Sequence, residues 1–156
     1  AIPAFLNWMQ AMHRSWAPAL IALGAAQPGL VYKDGLASVE AIPTNHYANE
    51  ALDFPSFAYA VRGEGKQALF TGDLRWDFAD FPQEALAECF DVCICECTHF
   101  DLGKACGILK GCKAKRMLFT HVGNEWHGSG EQEFAKAVAT LPFPCAIAHD
   151  GEVVEI

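Results

Sequence analysis

The sequence lacks a long hydrophobic run and has few basic residues. Its longest apolar stretch, residues 20–26, is far shorter than the roughly 20 residues that span a bilayer as a helix. Lysine and arginine number 11 against 19 aspartates and glutamates, so the net charge is −8. Because nucleic-acid binding relies on a basic surface that releases counterions, this charge disfavours a nucleic-acid partner. The short apolar runs likewise predict no membrane partner.

The sequence also lacks an even set of cysteines and a recognisable secretory signal. An odd count of seven cysteines without such a signal favours free thiols in a reducing compartment. We therefore expect a cytoplasmic protein. With 156 residues, of which 52% are hydrophobic, the chain has the size and composition of a single globular domain over residues 1–156.

Three of the cysteines, Cys93, Cys95 and Cys97, alternate along one predicted strand and so share a face. Residues two apart on a strand lie ~6.6 Å apart. Two sulfurs bound to one zinc ion lie within about 4 Å of each other. A straight strand therefore chelates zinc poorly, and we interpret these cysteines as small buried hydrophobic residues. The other four also fit core or near-core positions: Cys89, Cys106, Cys112 and Cys145.

Hydrophobic periodicity predicts hairpins first, and alternating strands and helices after residue 73. The predicted strands are 30–32, 36–42, 57–62, 67–70, 91–97, 116–120, 145–148 and 153–156. The predicted helices run to about residue 16 and over 82–90, 102–109 and 130–140, the last with Ser129 as its N-cap. This mixture is typical of an α/β layered fold with mixed sheets flanked by helices.

Side chains that can bind metal follow three of the predicted strands. His46 follows the strand over 36–42, Asp73 follows 67–70, and His121 follows 116–120. A buried strand that ends in a loop can hold such a side chain rigidly, and imidazole and carboxylate are good ligands for zinc, manganese and iron. A single histidine at a strand end is more often a surface residue. The three residues together, in this order, indicate a metal site.

These segments resemble metallo-β-lactamase-fold hydrolases, and among them the ribonuclease Z-like branch. Residues 44–46 (Thr-Asn-His) are similar to the segment that supplies a histidine to the first metal, and residues 70–73 (Phe-Thr-Gly-Asp) to the segment with the bridging aspartate. Residues 120–121 (Thr-His) resemble the segment with the last histidine. Residues 95–100 resemble the strand-end segment of the ribonuclease Z-like branch, and residues 146–156 the closing hairpin.

The resemblance implies an αβ/βα sandwich and a hydrolase with two divalent metal ions, zinc in the first place and manganese or iron as alternatives. His46 would bind one ion, His121 the other, and Asp73 both. Glu96 would orient a ligand histidine; its alternative is a surface carboxylate at a strand end. Ions held in this way make a water molecule acidic enough to attack a phosphodiester, an ester or a lactone. The expected partner is therefore a small-molecule or phosphodiester substrate.

One part of the family pattern is missing from this sequence. The motif His-x-His-x-Asp-His supplies further ligands to both ions, but no two histidines here are two residues apart. The first six residues resemble the segment that follows this motif, so we expect the chain to be the C-terminal portion of such a domain. Each ion would then keep two protein ligands, where a catalytic zinc ion generally has three. We expect this chain alone to bind metal poorly and to be inactive by itself.

Two other functions are compatible with the sequence. One is a non-catalytic binding or assembly domain on the same fold, and the other is a thiol-based metal or redox protein built on the seven cysteines. An oligomer is compatible with all three. Near Asp73, the aromatic residues Trp76, Phe78 and Phe81 could line an apolar substrate pocket, but we favour ordinary core packing. His127 is interpreted as a surface residue.

Overall fold

A computed structural model describes residue 11 and residues 25–49, 52–53 and 56–156. The predicted N-terminal helix lies outside this described part except for residue 11. The element order is that of an α/β fold, and the predicted fold class, with mixed strands and flanking helices, is confirmed. Within the described part, no helix is both long and apolar enough to cross a membrane.

A seven-stranded mixed sheet organises the molecule, with the order β1-β2-β5-β6-β7-β8-β9. The first four of these strands pair antiparallel and the last three join in parallel. Its strands are β1 Gly29–Lys33, β2 Ala37–Thr44, β5 Ser56–Gly63, β6 Lys66–Phe70, β7 Val92–Cys97, β8 Met117–Val122 and β9 Cys145–Ile147. A separate two-stranded pair, β3 Ala48–Asn49 and β4 Leu52–Asp53, was not predicted from the sequence.

Both predicted hairpins of the antiparallel half are confirmed. The turn between β5 and β6 consists of Glu64 and Gly65, with φ angles of 50° and 74°. A two-residue turn with positive φ at both positions matches the right-handed twist of the flanking strands, which explains the glycine. In the first hairpin, the Asp34 carboxylate accepts the backbone N–H groups of Leu36 and Ala37 at 2.8 Å each and so closes the turn.

The parallel half alternates strands with three helices, α1 Glu84–Ala87, α2 Leu102–Leu109 and α3 Gly130–Val138. Helix α1 is shorter than the predicted 82–90, because the backbone of Glu88 is extended, with φ −109° and ψ 154°, and the carbonyl of Ala85 accepts the backbone N–H of Lys113 instead of a helical one. Ser129 stands at the predicted N-cap position of α3, but its side chain makes no capping hydrogen bond. Its backbone is already helical, with φ −64° and ψ −21°, instead of the extended conformation that a capping side chain generally needs.

The predicted final strand over residues 153–156 is wrong, since within the described part of the chain these residues pair with no strand and Val153 is exposed. Strand β9 has only three residues, so its free edge offers few backbone groups to a further strand. The chain end is instead held by the side chain of Arg116, which donates to the carbonyl of Glu155.

One hydrophobic core lies between the sheet and the helices. Cys93, Cys95 and Cys97 belong to it, as predicted, whereas Cys89 is exposed. The aromatic residues after β6 divide between core and surface. Phe78 and Phe81 are buried and stack with ring centroids 4.9 Å apart, while Trp76 is 72% exposed.

Candidate metal centre

Strands β2, β6, β7 and β8 all run in the same direction, so their carboxyl ends meet at one edge of the sheet. Each end is followed closely by a polar side chain that can bind metal. His46 follows β2, Asp73 follows β6 and His99 follows β7, while His121 is the penultimate residue of β8. The sheet topology therefore brings together residues that are up to 75 positions apart in the sequence, from His46 to His121.

Two overlapping groups of possible metal ligands form at this edge. His46, Asp73 and His99 each offer a donor atom within 4.8 Å of the others, and so do Glu96, His99 and His121. The imidazole rings of His46 and His99 have centroids 4.4 Å apart, and those of His99 and His121 are 5.0 Å apart. Nδ1 of His121 lies 3.1 Å from Oδ1 of Asp73. The three residues predicted from the sequence thus lie in one cluster, and His99 stands at its centre.

A backbone contact fixes the imidazole ring of His46 and leaves one of its two nitrogens free. Its Nδ1 lies 2.9 Å from the carbonyl oxygen of Leu74. Because a carbonyl can only accept a hydrogen bond, Nδ1 carries the proton and Nε2 is the unprotonated donor atom of the neutral ring. The backbone N–H of His46 donates to Oγ of Ser56 at 3.1 Å, which holds the residue from the other side. Partners of this kind set the tautomer and the ring orientation of metal-binding histidines.

Glu96 fixes His99 in the same way and is itself fully engaged. The residue is only 3% exposed, and its Oε1 accepts the backbone N–H of Leu74 at 2.7 Å and Nδ1 of His99 at 2.9 Å. Its Oε2 accepts the backbone N–H groups of Thr98 at 2.8 Å and His99 at 3.1 Å. Because four hydrogen bonds occupy this carboxylate, it serves to position its neighbours, and Nε2 of His99 is left free.

Two backbone features place the side chains at this edge. His121 is an extra residue in β8, since Glu96 pairs with Thr120 and Cys97 pairs with Val122, and its φ is 45°. Bulges of this kind redirect a side chain, and they concentrate next to functional sites. Gly72 has φ 60°, and a Cβ atom there would lie 2.8 Å from the carbonyl oxygen of Phe57. Only glycine fits this approach, directly before Asp73.

The chemistry of the donor set fits a divalent metal ion. Imidazole nitrogen and carboxylate oxygen are ligands of zinc, manganese and iron, and here both kinds converge. The side chains of Asp73 and His121 are 48% and 51% exposed, so solvent and a substrate can reach the cluster. The other two described histidines lie outside the groups. His127 is exposed, as expected, and Nε2 of His149 lies 3.9 Å from Glu131.

The cysteines offer no comparable site. Neither group of converging donors in the described part of the chain contains a cysteine. The hydrogen bond to Cys112, together with burial, raises the pKa of the Cys93 thiol. Burial also raises the pKa of Cys95. Because the thiolate is the form that binds metal and reacts, these conditions disfavour thiol chemistry at Cys93 and Cys95.

His99 is the residue for which the sequence predicted no role, although its segment was singled out. A signal for it was present, because it comes within three residues of the end of a predicted apolar strand, as Asp73 and His121 do. Only the strand order shows that β7 lies between β6 and β8, which places His99 between Asp73 and His121. Strand order does not follow from the periodicity of each strand alone.

No protein-family model and no curated protein matches this chain. Solved structures do match. The metallo-β-lactamase fold protein YhfI from Bacillus subtilis is 20% identical with a TM-score of 0.61, over 85% of this chain and 54% of its own. A diphosphatase from the PhnP family is 19% identical with a TM-score of 0.59, over 96% of this chain and 55% of its own.

The chain has the metallo-β-lactamase fold. Human tRNase Z, short form, has the same arrangement, with 21% identity and a TM-score of 0.51 over 81% of this chain and 45% of its own. At these identities the likeness establishes the fold, as the sequence resemblance predicted. The chain spans about half the length of these three structures.

Proposed function

We propose that this chain forms part of a metal-dependent hydrolase. One observation carries the proposal: His46, Asp73, His99 and His121 converge at the carboxyl edge of the sheet, and hydrogen bonds leave Nε2 free on both His46 and His99. A surface cluster without a function would not need two imidazoles held in defined tautomers. Neighbours of the same fold include proteins described as a diphosphatase and as tRNase Z, which supports a hydrolytic role.

His46, Asp73 and His121 would hold the divalent ions, with His46 serving one ion, His121 the other and Asp73 both. Bound there, such ions supply Lewis acidity, which lowers the pKa of water and stabilises negative charge on the substrate. Zinc is the ion we propose first, with manganese or iron as alternatives that the same donors accept. The proposed number is two.

His99 is the residue that we assign to the attacking water. Its ring centroid lies 4.4 Å from that of His46 and 5.0 Å from that of His121, and Glu96 holds the ring through Nδ1. A carboxylate in this position makes the imidazole a better acceptor at Nε2. His99 can therefore accept a hydrogen bond from the water molecule that attacks the substrate, while Glu96 keeps the ring oriented and excludes rotation.

The substrate is proposed to be a phosphodiester, an ester or a lactone. A phosphodiester suits a centre with concentrated positive charge, but the net charge of −8 disfavours a long nucleic acid. The sequence contains no His-x-His-x-Asp-His motif, so we propose that this chain supplies only part of the site. Activity would then belong to the complete protein, which we place in the cytoplasm on the basis of its free cysteines.

The test is hydrolysis by the complete protein, loaded with zinc or manganese. Bis(p-nitrophenyl) phosphate, p-nitrophenyl acetate and a γ-lactone would represent the three substrate classes. We expect turnover of at least one, with loss of activity on chelation and in Asp73→Asn. Asp77→Asn is the matched control, because Asp77 bonds only to the side chain of Arg75 and the backbone of Ala79 within the same loop. A metal-loaded protein that hydrolyses none of them would favour the non-catalytic alternative.

A further inference from the structure

Asp80 connects two segments that carry proposed metal ligands. It lies in the loop after β6, and its two carboxylate oxygens accept different backbone N–H groups. Oδ2 accepts from Asn45 at 2.7 Å, and Oδ1 accepts from Arg75 at 2.9 Å. Asn45 directly precedes His46, and Arg75 comes two residues after Asp73. One carboxylate therefore bridges the loop after β2 and the loop after β6.

This bridge lies beside a second link between the same loops. Nδ1 of His46 donates to the carbonyl of Leu74, the residue between Asp73 and Arg75. The two links together fix both the distance and the rotation of His46 relative to Asp73, since a single hydrogen bond would leave the loops free to pivot. Hydrogen bonds from backbone N–H groups to a carboxylate are charge-assisted and stronger than neutral ones. The Asp80 bridge is thus well suited to hold the two loops in register.

Within the described part of the chain, no other acidic residue of this loop connects it to the His46 segment. Asp77 accepts only from Arg75 and Ala79, both within its own loop. Glu96 binds the loop after β6 through Leu74, but its other contacts are with Thr98 and His99 in the segment after β7. Asp80 is therefore the acidic residue of this loop that reaches the His46 segment.

We propose that Asp80 is a positioning residue that sets the distance between His46 and Asp73 for metal binding. The inference rests on the proposed function, because it assigns both residues as ligands. Removing one acceptor should let the two loops separate. Bringing His46 and Asp73 together around an ion would then cost part of the binding free energy, so the ion would bind more weakly. Groups that orient metal ligands typically change metal affinity about 10-fold to 100-fold when they are replaced.

The experiment compares Asp80→Asn and Asp80→Glu with Asp77→Asn in the complete protein. Zn²⁺ is titrated while ¹H–¹⁵N NMR follows the imidazole signals, which reports weak binding at each histidine. Asp80→Asn should raise the Kd measured at His46 about 10-fold or more. Asp80→Glu keeps the charge but lengthens the bridge, so its Kd should also rise, whereas Asp77→Asn should leave the Kd unchanged. The melting temperature of each variant is measured alongside.

The outcomes separate the inference from the proposed function. If Asp80→Asn and Asp80→Glu bind Zn²⁺ as the parent does, the inference is overturned while the metal site stands. An equal weakening in Asp80→Asn and Asp77→Asn, with Asp80→Glu unchanged, would show a general charge effect and would also overturn it. A complete parent protein whose His46 signal does not respond to Zn²⁺ overturns the proposed function, and the inference with it. Weakening in both Asp80 variants alone supports the inference.

Discussion

The parallel half of the sheet has two regions with opposite properties, built from the same strands. In the interior of β7 and β8, Cys93, Cys95 and Phe119 are 0% exposed and pack against the helices. At the carboxyl edge, Asp73 and His121 are about half exposed, with 48% and 51% of their side-chain surface open to solvent. The packed interior therefore provides stability. The edge presents polar groups whose positions depend on a few hydrogen bonds.

Glu96 lies where the two regions meet. It belongs to the buried strand β7, yet its carboxylate binds Leu74, Thr98 and His99 in the edge loops. On the far side, the backbone N–H of Glu96 donates to Oγ1 of the buried Thr71 at 3.2 Å. A change in the interior should therefore alter stability without altering the site, a change at the edge should do the reverse, and a change at Glu96 should affect both.

The largest expected effect is on the free energy of unfolding and comes from a change in the interior. Phe119→Ala removes a fully buried ring that packs edge-to-face on Phe134 with centroids 5.1 Å apart. The free energy of unfolding should fall by about 3–5 kcal/mol, measured by urea denaturation. Phe70→Ala is the matched control, because Phe70 is 43% exposed and its loss should cost far less. Equal costs for the two variants would contradict the division between interior and surface.

A smaller effect, on both regions at once, is expected for Glu96→Gln. The amide keeps the shape of the side chain but places an N–H₂ group against donors that need an acceptor. The free energy of unfolding should fall by about 1–3 kcal/mol, the cost of buried donors left unsatisfied. The NMR signal of the His99 ring should also shift, since its Nδ1 partner is changed.

Glu88→Gln provides the comparison for Glu96. Glu88 is exposed and pairs with Arg62 at 2.9 Å, and such surface pairs contribute about 0–1 kcal/mol. A Glu96→Gln variant that is as stable as Glu88→Gln and leaves the His99 signal unmoved would show that Glu96 neither stabilises the fold nor positions His99.

The smallest expected effect is a change in the pH dependence of stability that comes from the partly buried Cys145 of β9. Burial raises the pKa of the Cys145 thiol to about 11, above its ordinary value of 9.0. Below pH 9 this thiol is protonated in both the folded and unfolded states. As the pH rises from 9 towards 11, the unfolded state loses the proton first and is favoured, so stability falls in that window.

Cys145→Ala should therefore reduce the loss of stability between pH 9 and 11, measured by urea denaturation across that range. Cys89→Ala serves as the control, because Cys89 is exposed. If both variants keep the full pH dependence of the parent, the contribution assigned to Cys145 is wrong.

The sequence predicted the presence of strands and helices better than it predicted where each one ends and which others it contacts. Both hairpins and strands β7 and β8 follow from periodicity and turn residues, because those signals are local. The shortened helix α1 could not be predicted, since the Lys113 backbone group that occupies the Ala85 carbonyl is 28 residues away. The missing strand over 153–156 depends in the same way on a distant property, the short free edge of β9.

Most residues of the site could be predicted from the sequence, but most of the contacts that hold them in place could not. His46, Asp73 and His121 could be selected because each ends a strand and matches a family segment. The role of His99 depends on the order of strands in the sheet, and that of Asp80 on a hydrogen bond across 35 residues. Neither arrangement leaves a periodic signal in the sequence. Of the residues that hold the site in place, Glu96 was predicted from the sequence, whereas Asp80 is known only from the fold.

The most direct measurement is a Zn²⁺ titration of the complete protein, followed by ¹H–¹⁵N NMR of the imidazole groups and repeated with Asp73→Ala. Among the histidines of this chain, we predict saturable shifts at His46, His99 and His121, which are strongly weakened in Asp73→Ala, while the exposed His127 and His149 do not respond. Shifts of equal size at His127 and His149, or no saturable response at His46 and His121, would contradict the proposed metal centre.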